Sequence, residues 1–469
     1  MAAGELEARP APRRGRVRAW QRTAQAVPRI ALSAVRHGLM PVGLATARTL
    51  RREGASELHW KVIGDALVRF LRHSGPVFTK FGQILATRPD LLPAAVCARL
   101  EALYSRQAPM KRRLLRRSLR DAHVDGSPFE DFCEQPLAVG SIGQVHRARL
   151  ADGTRVIVKI LRPGVEQKIE RDLDVARTLL PMMLGTERGA DGPARMLLMK
   201  TLDDLAEAYA DEADLRNEAA ALEAFARRFR RDPRVVVPSC FPALSSKHLL
   251  VMEELDGEPL SAYRARAEKD PEAARRVAHL AASEILRQIF EHGHFHADPH
   301  AGNLLILEDG RLGVIDLGLT GELTPQDRRC ITRAVRAFLS RDSEALIRAL
   351  LGFGTTPEDF EVARFRDDVA AVVRRRGKAV AGRLTGGRKA QASDGGSNPL
   401  EDFVAELFGV AHAHGIHVPR SSTLIIKTLI TIEGVGRSLH PELNLGAVAA
   451  PVILRSFAPR WMRWALRRS

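Results

Sequence analysis

Apolar positions along this chain fall into two periods. From Glu57 to Arg120 they recur at helical intervals, as in Leu67, Phe70 and Leu71 and again in Ile84 and Leu85, and the spacing predicts helices there. Within that stretch Lys111 to Arg120 sets six basic residues around Leu114, Leu115 and Leu119, the pattern of a helix with one solvated face. Further on the period shortens. Leu137 to Leu150 predicts a loop and a strand, Ala151-Asp152-Gly153-Thr154 a turn, and Arg155-Val156-Ile157-Val158-Lys159-Ile160 a β-branched strand. A second strand, turn and strand is predicted from Leu304-Leu305-Ile306-Leu307, Glu308-Asp309-Gly310 and Leu312-Gly313-Val314-Ile315.

The second hairpin is flanked by chemistry. His296-Ala297-Asp298-Pro299-His300-Ala301-Gly302-Asn303 precedes it and Asp316-Leu317-Gly318 follows it. Phosphoryl-transfer sites place an Asp that orients the nucleophile, an Asn five residues on that binds metal, and a metal-binding Asp at a following D-F-G-like turn. Asp298, Asn303 and Asp316 keep that order, and a short hairpin brings Asn303 and Asp316 to one end. Oxygen ligands of this kind suit Mg2+, which takes its remaining ligands from water and phosphate. A rival reading takes His292, His294, His296 and His300 as zinc ligands, but it leaves the Asp and Asn residues idle. His412, His414 and His417 lack a carboxylate or thiol companion in the sequence pattern and are read as ordinary histidines.

A phosphotransfer site also needs a phosphate-covering loop and a lysine. Gly140, Ser141, Gly143 and Gln144 form a partial glycine-rich loop, and Lys159 on its strand is placed to meet the α- and β-phosphates of ATP. Its carboxylate partner is sought in the predicted helix Asp211 to Glu218, where Glu212 and Glu218 are the glutamates.

These segments, with two more upstream, resemble the UbiB/AarF group of atypical kinase-like proteins. Lys80-Phe81-Gly82-Gln83 is similar to that family's K-x-G-Q signature, Thr87 to Pro93 to its T-R-P-D-L-L-P continuation, Ser141 to His146 to its phosphate loop, Glu212-Ala213-Asp214 to its E-x-D, and His296 to Asn303 to its H-x-D-P-H-x-G-N. The resemblance runs from Leu58 to Leu323. It implies an α+β, two-lobed protein-kinase-like fold with a helical N-terminal extension, in which Glu218 pairs with Lys159 and Asp298 is the catalytic-loop acid. It further implies that Lys80 and Gln83 form a lid over the nucleotide, facing Glu212 and Asp214, that excludes bulky protein substrates. His248 to Leu255 resembles the strand and hinge that hold adenine by backbone hydrogen bonds, with Glu253 at the hinge. Two positions depart from the family: Gly140 stands where it usually has Ala, freeing φ beside the phosphates, and Leu317 stands where the D-F-G turn has Phe.

The expected organisation is a basic amphipathic arm over residues 1–54, the K-x-G-Q extension over 55–126, a small lobe over 127–256, a helical large lobe over 257–440 and a basic tail over 441–469. Charge sharpens the two ends. The net charge is +16, and Met1 to Gly54 contributes +8 and Arg455 to Ser469 another +5. Trp20, Trp461 and Trp464 lie in the same ends, and Arg with Trp and Leu on short amphipathic segments suits an anionic membrane surface. A solvated tail and a nucleic-acid contact are the weaker readings of that composition.

Leu445 to Leu454 is too short to span a bilayer and contains Pro451. The Arg-rich arm lacks the apolar core of a secretory signal, and Glu5 and Glu7 count against a mitochondrial one. Four scattered cysteines, Cys97, Cys133, Cys240 and Cys330, fit a reducing compartment. The expected location is therefore cytoplasmic and peripheral, on the inner face of a membrane. Gly185 to Pro193 and the Gly/Ser-rich Thr385 to Pro399 are expected to be loops.

The function expected from residues and resemblance together is Mg-ATP binding with hydrolysis or phosphotransfer. Its role in handling ubiquinone or other isoprenoid lipids, or the enzymes that make them, comes from the resemblance alone. A protein or small-molecule kinase, an aminoglycoside-type phosphotransferase and a nucleotide-binding scaffold are the alternatives.

Overall fold

The computed structural model describes residues 57–457 except 87–93, 105–107, 123–127, 184–192, 231, 341, 353–355, 358–359, 385–398 and 417–419. The arms with Trp20, Trp461 and Trp464, the T-R-P-D-L-L-P segment and the interiors of the two expected loops lie outside the described residues. Two compact units divide the chain. The first comprises 1–217 and 241–252, the second 218–240 and 253–469.

The first unit begins with α1 (Glu57–Ser74), α2 (Pro76–Ala86), α3 (Ala94–Leu100) and α4 (Arg112–Asp121). Phe70, Leu71, Phe78, Phe81 and Leu100 form the buried seam of the first three, with Phe70 edge-on to Phe78 at 6.0 Å. Gly82 lies tight against this seam: a Cβ there would come 2.4 Å from Leu103 Cδ1 and 2.6 Å from Leu71 Cδ1, so both leucine side chains would have to shift.

Strands β1 (Phe129–Phe132), β2 (Ala138–Val139), β3 (Gly143–Leu150) and β4 (Arg155–Leu161) follow, then α5 (Val165–Met183) and α6 (Pro193–Glu212). Antiparallel β3 and β4 are joined by the predicted Ala151–Thr154 turn, with Val145 opposite Lys159. The sheet runs β1-β3-β4-β6, with β2 attached to β3. Helix α4 covers one face, where Leu115 joins Met110, Val156, Val158, Ile160 and Val251 in one core. Its arginines stay outside, and Arg112 and Arg116 both pair with Glu134.

Helix α7 (Leu215–Phe229) starts in the first unit and runs into the second; β5 (Val235–Val236), β6 (Leu249–Glu253), β7 (Gly257–Pro259), α8 (Leu260–Arg266) and α9 (Pro271–Arg287) come next. Beyond these lie β8 (His294–His296), β9 (Leu304–Leu307), β10 (Leu312–Val314) and β11 (Thr320–Glu322). The stretch 218–240 goes with the second unit because β5 pairs in parallel with β10. The sheet order is β5-β10-β9-β7, and β8 pairs separately with β11.

The rest is helical: α10 (Pro325–Leu339), α11 (Ser343–Leu351), α12 (Val362–Leu384), α13 (Pro399–Ala413), α14 (Arg420–Leu439) and α15 (Leu445–Phe457). Local sequence marks several of the starts. Asp270 caps α9, Thr324 and Asp327 form a capping box on α10, and Asp342 caps α11. A buried ion cluster ties α9 to its surroundings. Arg287 meets Asp232 at 2.8 Å, Glu284 at 2.5 Å and Glu291 at 3.1 Å, while Glu291 also accepts from Arg455 of α15 at 2.9 Å. Removing one member would strand buried charge, the costly case for such networks.

Candidate active site

In the second unit the site grows out of the backbone. The amide of His296 donates to the buried Gln288 side chain at 3.0 Å, which fixes β8 against the end of α9. The chain then folds back on itself. His300 N donates to Asp298 O at 2.8 Å, Asn303 N to His300 O at 2.9 Å, and Asn303 Nδ2 to Asp298 O at 3.1 Å. With its amino group so engaged, Asn303 keeps its carbonyl oxygen as the atom able to ligate a cation.

The predicted hairpin then sets the second carboxylate. Val314 of β10 pairs with Leu304 of β9, and Ile315 N donates to Asn303 O at 3.1 Å, so Asp316 follows directly beyond the partner of Asn303. Asp316 Oδ1 accepts from Gly318 N at 2.9 Å, which closes the Asp316-Leu317-Gly318 turn. Leu317 is buried, filling the apolar position expected of it. An amide oxygen and a carboxylate at one hairpin end form a hard, oxygen-only donor set that fits Mg2+. Among the described residues no group of three or more His, Cys, Asp or Glu could hold a metal ion, so the remaining ligands would come from phosphate and water.

Two histidines of this segment pack on aromatic rings, while His300 is exposed and accepts from Gly302 N at 3.0 Å. His292 stands edge-on to Phe229 at 4.8 Å and His294 edge-on to Phe225 at 4.6 Å. Burial pushes His292 and His296 down to about 4, against the pull of Asp316 and Asp298 on His296. Both rings are therefore neutral at pH 7.

One residue of this site was not found from the sequence. Lys427 Nζ of α14 lies 3.2 Å from Asp298 Oδ1. The signal was present in the composition of the helix, since Lys427 carries the only charge between Arg420 and Glu433 in an otherwise apolar and hydroxylic run. Nothing in that run indicated a partner 129 residues upstream.

The first unit holds the loop and lid candidates. Gly140 N donates to Gly143 O at 2.9 Å, making a tight turn between β2 and β3. Gly143 is required, because a Cβ there would lie 2.7 Å from Ile160 O. Gly140 is different: its φ lies outside the left-handed region, and a Cβ would meet only Gly143 O at 3.6 Å. The freedom expected of glycine at this departure from the family is not used.

Gln144 is not free to cover phosphate with its side chain. It is buried, with Oε1 accepting from Met110 N at 3.0 Å. The reason is strand alternation, which turns Gln144 to the same face as buried His146. Glu253 is likewise engaged, since Ser239 accepts from its amide at 2.8 Å and donates to its carboxylate at 3.2 Å. A hinge contact to adenine through the Glu253 amide is thereby excluded.

Lys80 of α2 meets Glu212 of α6 at 2.5 Å, joining the K-x-G-Q and E-x-D segments. Asp214 does not share in this contact: Arg216 holds it at 2.6 Å and keeps its carboxyl below the usual range. Gln83 instead donates to Leu103 O at 3.0 Å, within the helical extension. Tyr209, one turn before Glu212, is the residue that sequence reasoning missed here. It is fully buried, hydrogen-bonds Ser141 of the loop, and lies 5.8 Å under the Lys80 ammonium. Burial raises its hydroxyl above the usual tyrosine range. Lys159 sits half-buried on β4 in the first unit, and Glu218 is buried in the first turn of α7, in the second.

The fold and these residues define a kinase-like protein. A model of the ABC1 atypical kinase-like domain matches residues 106–350, and one of the UbiB helical domain matches 400–444, the segment that supplies Lys427. The chain is 32% identical over 418 residues to a probable protein kinase UbiB of Marinobacter nauticus, covering 85% of this chain and 70% of the relative. It is 32% identical over 406 residues to the Azotobacter vinelandii protein of the same name, covering 84% and 70%. In fold it is similar to Rv3197 of Mycobacterium tuberculosis, solved as an erythromycin complex, with a TM-score of 0.54 and 22% identity over 79% of this chain and 90% of that one. The chain belongs to the UbiB family of ABC1 atypical kinase-like proteins. Among the described residues no helix is long and apolar enough to cross a membrane.

Proposed function

We propose that this chain binds Mg-ATP and hydrolyses it or transfers its phosphate, in support of ubiquinone or another isoprenoid-lipid synthesis at an anionic membrane surface. The observation that carries the nucleotide chemistry is the hairpin end, where Asn303 presents an oxygen beside the Asp316 turn and holds the backbone of Asp298. Asn303 and Asp316 hold the metal. Magnesium, when bound, neutralises charge on the phosphates.

Asp298 orients the attacking hydroxyl or water, and Lys427 fixes the direction of its carboxylate. Lys159 contacts phosphate, with Glu218 as its assigned partner. Gly140, Ser141 and Gly143 cover the phosphates with backbone, and Lys80 on Glu212 latches the lid. The lipid assignment rests on family membership, and the membrane surface on the basic, Trp-bearing ends of the sequence.

The relatives' name favours a second reading, transfer to a protein hydroxyl, through the same Asp298. Mg-dependent ATP hydrolysis by the purified chain, with and without anionic liposomes, tests the first reading against Asp316→Asn. Turnover that rises on liposomes and disappears in the variant supports it. Nucleotide binding without turnover in the wild type, with or without liposomes, overturns it.

A further inference from the structure

The helical part of the second unit forms a half-open apolar pocket of about 250 Å³ between α9 and the helices from α10 to α15. Among the described residues, those that line it are all apolar or glycine, including Phe290, Phe403, Leu407 and Ile425. A pocket so lined gives water few hydrogen-bond partners, so displacing water from it costs little. Protein interiors are otherwise close-packed, and few of their voids exceed a single water.

Small residues keep this one open. Ala334 on α10, Ala411 on α13 and Ala449 on α15 all face it, where a larger side chain would fill it. An engineered cavity of roughly 150 Å³ in another protein accepts benzene, so this volume suits a longer hydrocarbon segment.

We propose that this cavity binds a single hydrocarbon chain, aliphatic or isoprenoid, by shape and apolar contact alone. The lining offers nothing to hold a charged or hydrogen-bonding group, so any headgroup stays outside. The chain has two possible sources, a free apolar molecule or the tail of a lipid. Helix α14 forms one wall through Ile425, Ile426 and Leu429, and the same helix carries Lys427 to Asp298. An occupant therefore braces the helix that holds the candidate catalytic acid.

The test is binding to the purified full-length protein without ATP or magnesium, so its failure is separate from failure of the nucleotide reading. The environment-sensitive fluorophore N-phenyl-1-naphthylamine is titrated in and then displaced by farnesol, or by dodecylphosphocholine kept below its micelle concentration. One saturable site per chain, displaced by farnesol, is the expected result. Displacement by both competitors identifies a chain whose headgroup can remain outside, and displacement by farnesol alone identifies a free apolar ligand.

Ala334→Leu with Ala411→Leu should weaken probe binding at least about tenfold while raising the thermal midpoint of the empty protein, because the added methyl groups fill void. No saturable binding in the wild type, or unchanged binding in a folded double variant, overturns the proposal. Should that variant fail to fold, a photoreactive diazirine-bearing alkyl chain is crosslinked to the wild type. Labelling at pocket-lining residues such as Ala334, Phe403, Ile425 or Ala449 supports the site, and labelling confined to residues outside the lining overturns it.

Discussion

The candidate residues of the second unit and those of the first are positioned by different means. At the β9–β10 hairpin the spacing of Asp298, Asn303 and Asp316 is set by backbone pairing and hydrogen bonds within about twenty residues. The candidate loop and lid residues instead depend on side chains far apart in the chain: Lys80, Ser141, Tyr209 and Glu212 meet only because α2, the β2–β3 turn and α6 pack together. A backbone-built site should tolerate surface change and fail on loss of a ligand. A side-chain-built latch should respond gradually, since its ion pair is about one-third exposed and exposed pairs contribute roughly 0–1 kcal/mol.

The largest expected effect lies on the hairpin side. Asp316→Asn should lower Mg-dependent ATP turnover by roughly 10²- to 10³-fold, about 3–4 kcal/mol of transition-state stabilisation, while thermal stability changes little. A wild-type rate in that variant would remove the metal assignment.

Next in size is a pH effect on the lid side. Asp172 of α5 abuts Gly75 at the α1–α2 junction, and burial raises its carboxyl to about 7. The native state therefore holds a proton that the unfolded chain releases near pH 4. Stability contributed by this group is complete below that pH and is lost as pH rises through about 7. Asp172→Asn should flatten the dependence of thermal midpoint on pH between 4 and 7. It should also stabilise the protein at pH 8 by on the order of 3 kcal/mol. An unchanged slope would show that Asp172 titrates normally.

Lys427 sharpens the comparison because it is a distant side chain serving the backbone-built half. Lys427→Met should reduce kcat about tenfold with KM for ATP nearly unchanged, and Lys427→Arg should restore much of the loss. A rise in KM alone would make Lys427 a nucleotide-binding group and not a positioning one.

Smaller still, Lys80→Met should change ATP affinity by no more than about fivefold and increase amide exchange in α2, as expected for loss of one partly exposed ion pair. Protection in α2 equal to wild type would remove the latch. The smallest effect is expected for Gly140→Ala. A Cβ finds ordinary contact there, so stability should stay within about 0.5 kcal/mol of wild type. A large loss would show that the turn needs glycine after all.

The strands around Lys159 and the β9–β10 hairpin could be read from alternation and turn residues, and the Asp298, Asn303 and Asp316 set from spacing. The backbone pairing of these hairpins is local, so one-dimensional pattern was enough to place their elements. Gln144 was misread because its motif position suggested phosphate while the strand's alternation buried it under Met110. Glu253 was assigned to the hinge; Ser239 engages its amide and its carboxylate, which removes the amide as an adenine donor. Asp214 was paired with the lid, but Arg216, two residues away, holds it.

By itself, then, the sequence determined the kinase-like class, the order of its motifs and the oxygen-rich character of the candidate metal ligands, because those depend on residue type at short range. Only tertiary structure decided that Lys427 meets Asp298, that Tyr209 joins Ser141 to the Lys80 latch, and that apolar helices leave a 250 Å³ cavity among them. Each of these depends on which faces of distant helices pack together. Period and composition show that a face is apolar, but not what it meets or how completely the space between is filled.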